Sequence, residues 1–271
     1  MPELPEVETT RRGIEPHIKD KRISAVISRQ LKLRWPIPQD LETHLKGRKI
    51  KQVSRRAKYL LIETSTGTLI IHLGMSGSLR IIDSSIPAGA HDHFDLVMGK
   101  KSLRLKDPRR FGAVLWTEAA IEDHELICKL GPEPLSDDFD TDYLYEVSRK
   151  RQVNIKNFIM NSHIVVGVGN IYASESLFMS GINPKRKAGA ISKKRIEQLV
   201  TAIKAVLSKA IEQGGTTLQD FSNAEGKPGY FTQQLKVYGR KSQACFNCDA
   251  PIQQITQGQR STYYCPVCQK N

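Results

Sequence analysis

The apolar residues of this chain change period halfway along it, and neither a single sheet nor a single helical bundle accommodates both halves. Between Ile23 and Trp116 they come in short runs, ISAVIS, YLLIET, TLIIHL, FDLVM, SLRLK and GAVLW, broken by turn residues. Many short strands without an intervening helical pattern predict an antiparallel sandwich or barrel. Ser65-Thr66-Gly67 and Gly99-Lys100-Lys101 each join two runs as hairpins. Further on, Ile196, Leu199, Val200, Ile203, Val206, Leu207 and Ile211 keep the three-four spacing of an amphipathic helix over 192–213, capped by Ser192 and ended by Gly214. A second helix is predicted over 171–182, stopped by Asn183-Pro184, and a short leading helix through Val7, Ile14 and Ile18, with Pro5 in its first turn. The Pro-, Gly- and Asp-rich stretch 131–142 reads as a linker. The expectation is an α+β protein of two domains, which suits 271 residues.

Charge narrows the partner. Lys and Arg number 41 against 28 Asp and Glu, a net charge of +13. That surplus favours a polyanion, nucleic acid first and an anionic membrane surface second. No stretch approaches the ~20 apolar residues of a membrane span, and the first twenty residues lack the apolar core of a secretory signal, so a cytoplasmic location is expected. Basic runs with no acid lie at 46–58 and 149–156, and residues 227–271 carry six basic side chains against Asp249 alone. Either run singly reads as a solvated face; three together favour tracking of a phosphate backbone. Gly167-Val168-Gly169-Asn170 feeds a helix start, either as a tight turn or as amides offered to an anion.

The tail carries the metal signal. Cys245-x-x-Cys248 and Cys265-x-x-Cys268 stand sixteen residues apart. Two such knuckles supply four thiolates for one tetrahedral Zn2+, with no position left for water, so the zinc is expected to be structural. Two disulfides, free thiols and an iron–sulfur cluster are the alternatives. Cys128, unpaired in sequence, reads as a small buried hydrophobe.

The other end carries chemistry. Removal of Met1 leaves Pro2 as a free secondary amine, and an α-amino group titrates near 7.7–8.0, so part of it is neutral at cellular pH. A neutral amine attacks a sugar C1′ and forms an iminium. Glu3 and Glu6 follow at once, and a carboxyl there can hand a proton to the opening sugar ring.

The run Pro2-Glu3-Leu4-Pro5-Glu6-Val7-Glu8-Thr9 resembles the opening of the bacterial formamidopyrimidine-DNA glycosylase family. So do Arg55 to Leu60, His72 to Gly77, Asp107 to Gly112, Val166 to Tyr172 and the four-cysteine tail, so the resemblance spans essentially the whole chain. Leu4 favours this branch over the endonuclease VIII type. The resemblance implies an N-terminal β-sandwich with a leading helix over 1–131, a linker and helical start over 132–149, a helix–two-turn–helix domain over 150–225, and a region 226–271 with a zinc β-hairpin at about 236–270. DNA would lie between the domains, and a lesion loop would span about 217–235. It implies excision of 8-oxoguanine and formamidopyrimidines, then β,δ-elimination, by a monomer with one structural zinc acting on double-stranded DNA.

Carried over residue by residue, Pro2 resembles the family's nucleophile, Glu3 the acid that assists base loss, and Glu6 a supporting carboxylate. Lys58 resembles the phosphate-contacting lysine with a proton-transfer role, and Arg260 the finger arginine assigned to δ-elimination. Met75, Arg109 and Phe111 resemble residues that fill the vacated stack. His91, Lys156, Asn170 and Tyr238 resemble backbone contacts. Relatives often carry Lys where this chain has Gln152, with Arg151 beside it to compensate. The competing readings are an oxidised-pyrimidine glycosylase and a non-catalytic zinc-finger DNA-binding protein.

Overall fold

A computed structural model describes residues 2–215 and 234–270. The expected lesion loop at 217–235 falls outside the described residues except at Gln234 and Leu235. Two compact units emerge, one holding 2–129 and 213–215, the other 130–212 and 234–270.

The first unit opens on α1 (Leu4–Ile18), which buries Leu4, Val7, Ile14 and Ile18 at helical spacing, with Pro5 in its first turn. Strands β1 (Ala25–Ser28), β5 (Ser78–Asp83), β6 (Asp92–Met98) and β7 (Lys101–Lys106) form an antiparallel sheet in the order β1-β6-β7-β5. A short helix, α2 (Leu41–Leu45), precedes β2 (Gln52–Arg56), β3 (Tyr59–Glu63) and β4 (Thr68–His72). With β8 (Ala113–Thr117) these make a second antiparallel sheet in the order β2-β3-β4-β8. Both hairpins expected from sequence form: Glu63 pairs with Thr68 and Met98 with Lys101. Alternate residues of the two sheets meet in one core, in which Leu60, Ile62, Leu69, Ile71, Phe94, Leu96, Leu103 and Leu105 are fully buried together with Ile14 and Ile18 of α1. The sandwich is therefore the member of the sandwich-or-barrel pair that this sequence adopts.

The second unit holds α3 (Thr141–Ser148), α4 (Ile155–Ile159), α5 (Asn170–Met179) and α6 (Lys193–Glu212). The predicted stripe on α6 is buried along its length, and Leu199, Ile203 and Leu207 share a core with Ile171, Tyr172 and Leu177 of α5. The chain closes on a hairpin of β9 (Gln253–Gln257) and β10 (Arg260–Tyr264), joined by Gly258 and Gln259 at φ 53° and 61°. Two successive positive φ values match the right-handed strand twist of a two-residue hairpin.

The 131–142 stretch is not a slack tether. Phe139 is 0% exposed inside the helical core, and Gly131 lies so near Ile164 that an added Cβ would sit 2.7 Å from its backbone. Composition misleads here because Pro and Asp set the backbone while one aromatic does the packing. Cys128 also departs from expectation: it is exposed. Phe139→Ala should lower the unfolding free energy of the helical unit by ~3–5 kcal/mol in denaturant titrations; a change within ~0.5 kcal/mol, as at a surface position, would restore the linker reading.

Candidate active site and nucleic-acid interface

A terminus serves as a reagent only if something holds it still. Here Pro2, Glu3 and Glu6 are all buried. Glu3 is the N-cap of α1, with extended φ, ψ, and its carboxylate accepts the Glu6 amide while Glu6 Oε2 accepts from Glu3 N at 2.8 Å. This reciprocal capping box uses glutamate where serine or threonine is usual. Gly215 lies beside Glu6 at φ +83°, a backbone conformation that favours glycine, and a Cβ there would come within 3.2 Å of the Glu6 carboxylate.

Lys58 stands on the two-residue turn between β2 and β3, where Arg56 pairs with Tyr59. Its neighbour Ala57 takes φ 53°, costly for a residue with a Cβ. Arg55 offsets that cost: Nη1 donates to Ala57 O at 2.7 Å while Nε meets Glu8 at 3.3 Å. Glu8 in turn takes Arg11 and Arg12, so α1 and the Lys58 turn share one ion network. His72, at the end of β4, accepts the Gly74 amide on Nδ1 at 3.0 Å, which leaves its ring proton on Nε2. Burial, then the charges of Lys58 and Arg34, push its pKa down to about 4, so the imidazole is neutral at physiological pH.

Met75, His91, Arg109 and Phe111 are exposed. Met75 is 39% exposed and Phe111 50%, which marks both as apolar side chains the core does not use. They lie in the turns that follow β4 and β7.

In the second unit Gln152 is exposed, whereas Lys156 departs from the expected backbone contact. Lys156 is 0% exposed, and its ammonium donates to Asn170 Oδ1 at 2.5 Å, Thr262 Oγ1 at 2.7 Å and Ser261 O at 3.0 Å. Three donors meet three acceptors, so the lysine fastens α4 to α5 and β10 instead of facing solvent. Asn170 adds Nδ2 bonds to Ser261 O at 3.0 Å and to the Tyr238 hydroxyl at 3.3 Å. The hub sits directly beside Arg260, which is exposed at the first position of β10.

Glu175, which sequence reasoning passed over, anchors the segment before the hairpin. Its carboxylate accepts the amides of Lys236, Val237 and Tyr238 at 2.8, 3.0 and 2.8 Å. Burial pushes its pKa up and the three amides oppose that shift. A glutamate inside an otherwise uncharged helical stretch, NIYASESLF, was the available signal.

The four cysteine sulfurs of the tail lie within 4.8 Å of one another. Cys245 and Cys268 are 3.9 Å apart and Cys248 and Cys265 3.5 Å, bracketing the ~3.8 Å edge of a tetrahedron with Zn–S bonds near 2.3 Å. The amides of Asn247 and Cys268 point at Cys245 and Cys265 sulfur at 3.4 Å. Desolvation and three adjacent thiols push the Cys268 thiol up, so the cluster needs a cation to hold it as thiolate. The donor set fits one structural zinc ion, and among the described residues it is the only cluster of its kind. None of the described helices is long and apolar enough to cross a membrane.

Three family matches tile the chain: "Formamidopyrimidine-DNA glycosylase N-terminal domain" over residues 1–114, "Formamidopyrimidine-DNA glycosylase H2TH domain" over 130–222, and "Zinc finger found in FPG and IleRS" over 242–271. The formamidopyrimidine-DNA glycosylases of Thioalkalivibrio sulfidiphilus and Cellvibrio japonicus are 58% and 57% identical to it, with 100% of each chain covered. A crystal structure of Lactococcus lactis FPG with DNA containing Fapy-dG matches with a TM-score of 0.92 at 34% identity, covering 100% of both chains. The Thermus thermophilus protein gives 0.89 at 33%, covering 99% of this chain and 98% of that one. Fold, thiol cluster and relatives define the class, a zinc-finger DNA glycosylase of base-excision repair. Within it, the chain belongs to the formamidopyrimidine-DNA glycosylase family, in which glycosylase and abasic-site lyase activities go together.

Two outcomes follow from this geometry. Purified protein should carry one zinc per chain by elemental analysis, and Cys268→Ser should lose both the metal and DNA binding; a metal-free preparation that binds DNA normally would exclude a structural zinc. For His72 the unfolded state, near pKa 6.5, binds more protons than the folded state between pH 6.5 and about 4. Stability therefore rises with pH across that window, by on the order of 2–3 kcal/mol. His72→Asn should flatten the slope in pH-resolved chemical denaturation; an unchanged slope would mean that the imidazole is charged in the folded state.

Proposed function

We propose that this chain excises 8-oxoguanine and formamidopyrimidines from duplex DNA and then cuts the strand by β,δ-elimination through an iminium at Pro2. The observation that carries the reading is the buried capping box that fixes the first residues of α1. Met1 must be removed to free the Pro2 nitrogen. Its lone pair then attacks C1′, and the base departs with the electrons of the glycosidic bond. Glu3, one residue away, supplies the proton that opens the C1′–O4′ bond, and Glu6 holds the Glu3 backbone in place. A proline imine has no N–H to lose, so it stays cationic and acidifies the C2′ proton. Removal of that proton expels the 3′ phosphate, and water finally releases the enzyme. Lys58 contacts the phosphate beside the lesion and relays protons in β-elimination; Arg260 neutralises the second leaving phosphate.

Base extrusion precedes this chemistry, because C1′ inside a stacked duplex is out of reach. Met75, Arg109 and Phe111 occupy the vacated stack. His91, Gln152, Asn170 and Tyr238 contact the backbone. Lys156 acts indirectly, by holding Asn170 and the residues next to Arg260. The zinc keeps the hairpin folded and takes no part in bond breaking. The enzyme works as a monomer on DNA in the bacterial cytoplasm and nucleoid, a reading supported by its net charge of +13. Oxidised pyrimidines are a second substrate class, favoured by a Lactococcus lactis FPG complex with DNA containing an oxidised pyrimidine.

Nicking of matched duplexes with 8-oxoguanine, thymine glycol or undamaged guanine tests the proposal. The 8-oxoguanine strand should be cut to β- and δ-products and the guanine strand left whole. Glu3→Gln should slow base removal by about 10²–10⁴-fold and still cut a ready-made abasic site. Binding without nicking would leave only a DNA-binding protein, and an undiminished Glu3→Gln would remove the acid from the mechanism.

A further inference from the structure

We infer that Asp107 is a positioning residue for base excision, locking the Met75 turn and the Arg109–Phe111 turn into one rigid wedge. The inference rests on the assignment of Met75, Arg109 and Phe111 to the vacated stack.

These three side chains come from two separate turns, one after β4 and one after β7, and neither turn is anchored through their exposed tips. Asp107, 0% exposed, lies where the turns meet. Its Oδ1 accepts the Ser76 hydroxyl at 3.2 Å, one residue from Met75, and the Arg109 amide at 3.3 Å. Its Oδ2 accepts the Gly112 amide at 2.7 Å, one residue from Phe111. Its own amide donates to His91 O at 2.9 Å, and its carbonyl receives Arg110 N at 3.2 Å and lies 2.9 Å from His93 Nε2. Every polar atom of one buried residue is thus assigned, and the carboxylate alone bridges both turns.

The turns also touch backbone to backbone. A Cβ on Gly74, at φ +62°, would lie 2.4 Å from the carbonyl carbon of Phe111; one on Gly112 would lie 2.8 Å from His72 O. Side chains at these glycines would force the turns apart. Arg110, between the two presented residues, is held at φ 56°, a conformation that a non-glycine residue keeps only when its surroundings impose it. The bonds from Asp107 to Arg109 and Gly112 flank that strained position on both sides. An arrangement that couples two turns, tolerates strain and aims three side chains outward is built for presentation. Without the carboxylate, three donors, two of them buried, lose their acceptor and the turns can shift independently. An error of ~1 Å in a positioning group costs about 10²-fold in rate.

The test uses full-length, zinc-loaded Asp107→Asn and Ser76→Ala. Asparagine keeps the volume but turns an N–H2 toward a backbone N–H. One readout is single-turnover excision of 8-oxoguanine opposite cytosine or adenine. The other is borohydride trapping on single-stranded DNA with a ready-made abasic site, where there is no duplex stack to fill. Asp107→Asn should cut duplex excision by at least about tenfold, narrow the cytosine–adenine preference and leave single-strand trapping at the wild-type rate. Ser76→Ala should cause a smaller loss of the same kind, and adding it to Asp107→Asn should change nothing further. Wild-type excision by Asp107→Asn, equal losses in excision and trapping, or full additivity of the two substitutions would each overturn the inference. Met75→Ala and Phe111→Ala separate the layers: if these do not slow excision the underlying assignment fails, whereas slow excision here beside normal Asp107→Asn sinks the coupling alone.

Discussion

Chain ends fray, because the first residues of a helix have amides without partners and little to pack against. The account of this protein depends on suppressing that tendency at residue 2. Glu3 and Glu6 each satisfy the other's backbone amide, Leu4 is buried, and Val7 ties the first turns of α1 to the sandwich core. In the proposed mechanism, the secondary amine freed by removal of Met1 takes its position from a helix start instead of from a side chain. Proline would suit the proposed role twice over: its ring removes the φ freedom that would blur a nucleophile, and its nitrogen would give an imine that cannot be neutralised by losing a proton.

The rest of the molecule repeats one device on a larger scale. Polar side chains are buried or half-buried, hydrogen-bonded, and placed close to residues of the candidate site. Lys156 holds Ser261 beside Arg260, Glu175 holds the bend that ends at Tyr238, and Arg55 holds the turn that carries Lys58. Burying such groups is costly unless all their bonds are made, and a partly satisfied network would be worse than an apolar one. Such anchors restrain the turns that carry long cations, Lys58 and Arg260. The zinc hairpin adds the same rigidity where too few apolar residues remain to form a core of their own.

Much of this was legible in the residues. The period change separated the sandwich from the helices, and α6 follows its apolar stripe to within a residue at each end. The knuckle spacing identified the thiol cluster because few other chemistries need four cysteines so placed. What escaped was tertiary. A linear reading gives Lys156 a charge but cannot tell that three oxygens from distant segments surround it. Phe139 was hidden among turn formers, and Cys128, expected inside, is exposed because the chain around it is loop. The bridging part played by Asp107 and the anchoring by Glu175 were silent for a related reason: most of their partners are backbone amides, which leave no mark in sequence. The roles proposed for Pro2 and Glu3 were suggested only through a motif, since an isolated Met-Pro start says nothing.

The most direct measurement of the central claim is peptide mapping of the borohydride-reduced covalent complex formed with an 8-oxoguanine duplex. The account predicts a sugar remnant attached to the nitrogen of Pro2, in protein lacking Met1. A remnant on Lys58 or any other lysine, or efficient trapping by protein that retains Met1, would contradict it.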